Sequence, residues 1–230
     1  MINHPNEHVQ EFVEWVRSEY RVTTKTMSST LWGRFLQWCP YFDMAAIQLG
    51  RSIWINDQDK DHDSERDYWK NDQPFACIAL VAHELWHVLQ KRDDRTSRWR
   101  YLKPQVYASF MVPGLVLSAI FSPWLMTLWA SLMVWFLLPA HASERLRIEA
   151  EAYSWNRYVV GLLCDYDEGT LGQLLERHAV LLASKAYYWP TRQTEEAARF
   201  LVGYNSTPDL EPALTVKIKQ TVFALKTDIR

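Results

Sequence analysis

Several things are scarce in this 230-residue chain, and each scarcity excludes a class of protein. There are three cysteines, Cys39, Cys77 and Cys164. They lie far apart, cannot all pair and form no CxxC, which excludes a disulfide scaffold and a cysteine zinc knuckle. No repeat and no Gly/Ser-rich or Pro-rich linker divides the chain, so a single domain over 1–230 is expected. No apolar leader core stands near the start, where Glu7, Glu11 and Glu14 occur instead. Charge of one sign is also lacking. With a net charge of -2 and a pI near 6.4, there is no basic surface to argue for nucleic acid as a partner. The last absence is local. Between Pro104 and Ser143 there is no Asp, Glu, Lys or Arg, although the chain carries 25 basic and 27 acidic residues.

What is present reads as a mainly α chain. Hydrophobic residues make up 48% and charged residues 23%, a balance that builds a core rather than a disordered chain. Over 6–20, Val9, Phe12, Val13 and Val16 fall at i, i+3, i+4, i+7 spacing and predict an amphipathic helix. A second helix is expected over 30–39, stopped by Pro40. Ile47, Leu49, Ile53 and Ile55 around Gly50 predict a short strand or bent hairpin. The acidic run 57–67 lacks the glycine and the final glutamate of a calcium loop and reads as solvated loop. From Pro74 a helix of at least 15 residues runs through FACIALVAHELWHVLQK, and Ser143 can cap another through SERLRIEAEAYSWNRYVVGLLC. Further helices are expected near 170–187, 193–203 and 211–226.

The first of the two long helices carries chemistry. His83-Glu84-Leu85-Trp86-His87 is an HExxH. The two histidines stack one turn apart on one face, placed to share a metal ion. Glu84, rotated about 100° from His83, can stand beside a metal-activated water rather than on the metal. Two histidines and a glutamate inside IALVA…VLQ are costly to bury without a partner such as zinc. A third ligand has to come from elsewhere, and the helix from Ser143 offers Glu144, Glu149 and Glu151. Leu146, Glu149, Tyr153 and Val160 share one stripe, while Glu151 shares another with Arg147, Ile148 and Trp155. The periodicity favours Glu149 slightly, leaves Glu151 open, and reads Glu144 as helix surface.

VAHELWHVLQ followed by RIEAEAY resembles the zincin metallopeptidases of the glutamate-ligand group, which carry HExxH on one helix and a Glu on a later one. The apolar block between the motifs looks most like the membrane-embedded peptidases of this group. The Gln after HExxHV and the GRSIWIN before it resemble small zincin-like proteins of bacteria and phages. The resemblance covers roughly residues 47–160. It implies a zincin-like helical domain in which Zn2+ is held by His83, His87 and Glu149, with Glu84 as the catalytic base. Where the family usually has an Asp four residues after the ligand Glu, this chain has Tyr153, whose phenol can donate to a carboxylate or to a developing oxyanion. The implied activity is zinc-dependent hydrolysis of a peptide or protein substrate. The alternative is a non-enzymatic assembly or membrane-anchoring protein on the same scaffold.

The uncharged block divides at Ser122-Pro123 into two segments of about 16 residues, each ~24 Å as a helix, short of a ~30 Å hydrocarbon core. His83 and Glu149 must reach one ion, so any crossing number is even and an apolar hairpin at 104–140 is expected. Lys91, Arg92, Arg95, Arg98, Arg100 and Lys103 before it, and Arg145 and Arg147 after it, place the catalytic part on the cytoplasmic side of a membrane. The other expectation is a soluble cytoplasmic protein that buries the block within the domain or against a subunit.

Overall fold

Asn6 opens the first helix, α1 (Glu7–Tyr20), by accepting hydrogen bonds from the backbone N–H groups of His8 and Val9. Such a cap satisfies donors that have no partner within the helix. The computed structural model describes residues 6–31, 33–34, 46–55, 74–93, 113–116, 123–136, 143–183, 194–203 and 211–228. The elements after α1 are β1 (Thr23–Thr26), a 3-10 turn (Met27–Ser29), β2 (Ala46–Leu49), β3 (Ser52–Ile55), α2 (Pro74–Asp93), α3 (Pro123–Phe136), α4 (Ser143–Leu163), α5 (Glu168–Leu182), α6 (Thr194–Gly203) and α7 (Pro212–Asp228). The described chain is mainly helical. Most of 30–39 and all of 57–67 lie outside the described residues.

The three strands form one sheet in the order β1-β3-β2. β2 and β3 pair antiparallel with Gln48 opposite Ile53, and β1 runs parallel to β3 with Thr24 opposite Ile53. Gly50 turns the hairpin at φ 66°, a conformation that costs glycine no steric penalty. The hairpin matches the expectation from Ile47 to Ile55. β1 was not foreseen, because TTKT carries no apolar alternation for a strand reading to catch.

Two apolar clusters fill the interior. The larger takes Val9, Phe12, Val13 and Val16 from α1, Ile53 and Ile55 from β3, the Cys77–Leu89 face of α2, Trp155 and Val159 from α4, and Leu214, Ile218, Val222 and Leu225 from α7. The smaller joins Leu146, Ala150 and Tyr153 of α4 to Ala179 and Leu182 of α5 and Ala197 and Leu201 of α6. Helix α4 belongs to both and is therefore buried on most of its circumference.

The apolar block departs from expectation. No helix among the described residues is long and apolar enough to cross a membrane. α3 has 14 residues and spans ~21 Å, well short of a hydrocarbon core. A transmembrane helix is thus ruled out for these residues, and among them the flanking basic residues have no crossing to orient. Arg145 corrects the flank reading directly, since it is buried at 4% exposure. What α3 does show is exposure, with Trp124, Leu125, Met126 and Leu128 all facing outward. The arms of the block meet at Gly114, where a Cβ would stand 2.6 Å from the Trp129 ring. The remainder of 104–140 lies outside the described residues.

Candidate metal centre

Helices α2 and α4 pack side by side, and their contact is fixed by large apolar groups. Trp86 of α2 and Trp155 of α4 lie 5.7 Å apart between ring centroids. This packing sets the rotation of both helices, so the next residues along the seam are polar groups placed by their neighbours. On α2 these are His83 and His87, one turn apart, with ring centroids 5.0 Å from each other. On α4 the facing residue is Glu149. Its Oε2 lies 3.5 Å from His83 Nε2 and 3.7 Å from His87 Nε2. The three ligand atoms lie within 4.8 Å of one another. Two donors on a tetrahedral ion with bonds of ~2.1 Å stand ~3.4 Å apart, so both His–Glu separations fit such an ion. Glu151 is not in this cluster, and the side chain of Glu144 lies outside the described residues.

Burial shapes the charges. Glu149, His83 and Glu84 are 4%, 6% and 7% exposed, a setting in which an isolated charge is prohibitive. Burial alone would push the Glu149 carboxyl up, but the facing His87 and His83 hold it well below the usual carboxylate range. Burial would lower the His87 imidazole, and the Glu149 carboxylate outweighs that and raises it. The pair is thus ionised across the seam. Glu84 differs. Desolvation raises its carboxyl pKa against the lowering effect of the two histidines, and its carboxylate accepts the backbone N–H of Gln48 from β2. It lies outside the three-ligand cluster and beside it, tied to the edge of the sheet.

Compared with known proteins, the chain matches no family, no curated sequence and no solved structure. The site therefore rests on its own geometry.

Two side chains around the triad were not assigned from sequence. Gln90 places its side-chain Oε1 3.0 Å from His87 Nδ1. Its Nε2 donates to Glu151 Oε2 at 2.7 Å and to the Ile148 carbonyl at 3.1 Å. Gln90 is i+3 from His87, a spacing that a helix reading could have flagged. Its partner on α4 could not be seen before the two helices were docked. His178 of α5 is the second. Its ring lies 4.2 Å from that of Tyr153, which in turn stands edge-on to His83 at 4.7 Å. Tyr153 is thus packed between two imidazoles, and the His83 ring is held by that contact. His178 is buried, and its Nδ1 has no hydrogen-bond partner among the described residues. Burial, reinforced by His83, Arg157 and Arg177, lowers its pKa to about 3. The imidazole is neutral at physiological pH.

Proposed function

We propose that the chain is a zinc-dependent metallopeptidase of the glutamate-ligand zincin type. The observation that carries this reading is the convergence of His83 Nε2, His87 Nε2 and Glu149 Oε2 across the α2–α4 seam, with a buried Glu84 outside the ligand set. His83, His87 and Glu149 would hold the ion, and three protein ligands leave a position open. The chemistry zinc supplies when bound there is Lewis acidity, which acidifies a water towards a pKa of ~7 and polarises a substrate carbonyl. Glu84 accepts the proton of the attacking water and delivers it to the leaving amine as the peptide bond breaks. Its raised pKa favours that exchange, because a base of ordinary carboxylate strength would hold the proton less well. The Gln48 N–H keeps the carboxylate oriented in the apolar seam. Tyr153 packs against His83 and limits the ring's freedom to turn away from the ion.

The test is metal analysis followed by turnover of a quenched peptide library. The purified parent is expected to hold about one zinc per chain, and His83→Ala and Glu149→Ala to lose most of it. Glu84→Gln is expected to keep zinc and to lose at least ~10²-fold in turnover. Stoichiometric zinc in His83→Ala would remove the site. Parental turnover by Glu84→Gln would remove the mechanism. A zinc-loaded parent with no turnover on any peptide favours a scaffold in which the metal acts as a staple.

A further inference from the structure

We propose that Gln90 and Glu151 form a positioning relay that forces His87 to present Nε2, and only Nε2, to a metal ion. This rests on the metal reading above and adds residues to it. The inference starts from the two ends of the Gln90 side chain. Its Nε2 lies 2.7 Å from Glu151 Oε2 and 3.1 Å from the Ile148 carbonyl oxygen. A backbone carbonyl only accepts hydrogen bonds, so the end of the amide that meets the Ile148 oxygen has to be the NH2 end. The other end is then the carbonyl oxygen, which faces His87 Nδ1 at 3.0 Å. An amide oxygen only accepts, so His87 Nδ1 carries a proton and donates it. That leaves Nε2, on the side facing Glu149, as the nitrogen with a lone pair to give once its own proton is displaced.

The relay continues outward. Arg147 Nη1 lies 3.6 Å from Glu151 Oε1 at the rim of the seam, where Glu151 is largely covered and Arg147 is partly exposed. One short stretch of α4 thus does two jobs. Glu149 faces the ion, and Glu151, about 200° further round the helix, faces Gln90 on the outer side of α2. The Ile148 carbonyl between them fixes the same amide. The two metal histidines are held differently. His87 is braced by this polar chain, whereas the Nδ1 of His83 is buried with no hydrogen-bond partner among the described residues, and its ring rests on Tyr153.

Zinc affinity of the full chain, read by competition with a chromophoric chelator, tests the relay. Gln90→Leu keeps the volume and removes both ends of the amide, and is expected to weaken zinc by 10- to 100-fold, as loss of a partner behind a metal histidine typically does. Glu151→Leu removes one of the two acceptors at the Nε2 end and is expected to weaken zinc less. Glu151→Gln still offers an acceptor oxygen to Gln90 and is expected to bind like the parent. A spectroscopic signature separates positioning from simple destabilisation. With cobalt(II) in place of zinc, the visible d–d bands of Gln90→Leu are expected to shift, while the unfolding midpoint of its metal-free form stays at the parental value. If Gln90→Leu does not fold, Glu151→Leu against Glu151→Gln reads the same relay from its far end. Parental zinc affinity and parental cobalt bands in Gln90→Leu, where His83→Ala has lost zinc, overturn the relay and leave the metal site standing. A parent that takes up no zinc overturns the metal reading and the relay with it.

Discussion

His178 shows what burial does to a single residue near the site. Among the described residues nothing acidic offsets its desolvation, and its pKa falls to about 3 from an ordinary value of 6.5. The sign of the consequence follows from proton counting. Above pH 6.5 the imidazole is neutral in both the folded and the unfolded chain and contributes no pH dependence. Below 6.5 the unfolded chain takes up a proton that the folded chain refuses, so stability falls as the pH drops towards 3. The slope from one such group is on the order of 1 kcal/mol per pH unit. Urea unfolding of the metal-free protein at pH 8, 6 and 5 is therefore expected to show a steeper acid loss for the parent than for His178→Phe. Parallel curves for the two proteins would mean that His178 titrates normally in the fold. Cys77, by contrast, has its thiol pushed up to about 12 by burial and plays the part of a small apolar residue.

At the scale of the element, the α2–α4 seam decides whether the site exists. The histidines and Glu149 meet because Trp86, Trp155, Leu85 and Ala152 lock the two helices in one rotation. Trp155 is fully buried and also stands edge-on to Tyr158 at 6.0 Å. Trp155→Ala is expected to cost about 3–5 kcal/mol in denaturant unfolding and to lower zinc occupancy, although the residue is not one of the three ligands. A variant as stable as the parent would show that the seam is held by something else. The β2–β3 hairpin contributes in another way. It brings the Gln48 N–H to Glu84, so the strand edge orients that carboxylate without taking part in the His83-His87-Glu149 cluster. Helix α4 also explains an ambiguity in the sequence. A helix buried on most sides has no single apolar stripe, and periodicity cannot then rank Glu149 against Glu151.

For the whole molecule, the arrangement is a seam between two apolar clusters, with an apolar appendage that leaves large side chains exposed. Trp124 is 85% exposed on α3 and Leu128 is 54% exposed. Surface positions of this kind add little to folding stability. Trp124→Ser combined with Leu128→Ser is therefore expected to change unfolding free energy by less than ~0.5 kcal/mol per site. Zinc content should stay parental, and binding of an apolar dye such as ANS should fall. A large loss of stability would show that these side chains are covered in solution. Such a result would place α3 against the rest of the domain or another chain.

Much of this was written in the sequence. Local spacing alone predicted α1, the β2–β3 hairpin and both long helices, because these depend on caps, turn residues and period within one segment. The HExxH spacing placed His83 and His87 on one face for the same reason. Three things depended on tertiary structure. The facing of Glu149 required the docking of α4 against α2, which is set by Trp86 and Trp155 from segments nearly seventy residues apart. The bracing of His87 required Gln90 and Glu151 to meet across that seam. The uncharged block invited a membrane crossing by composition, and among the described residues the short α3 overturned it, because composition reports how apolar a segment is and says nothing of how long its helix is.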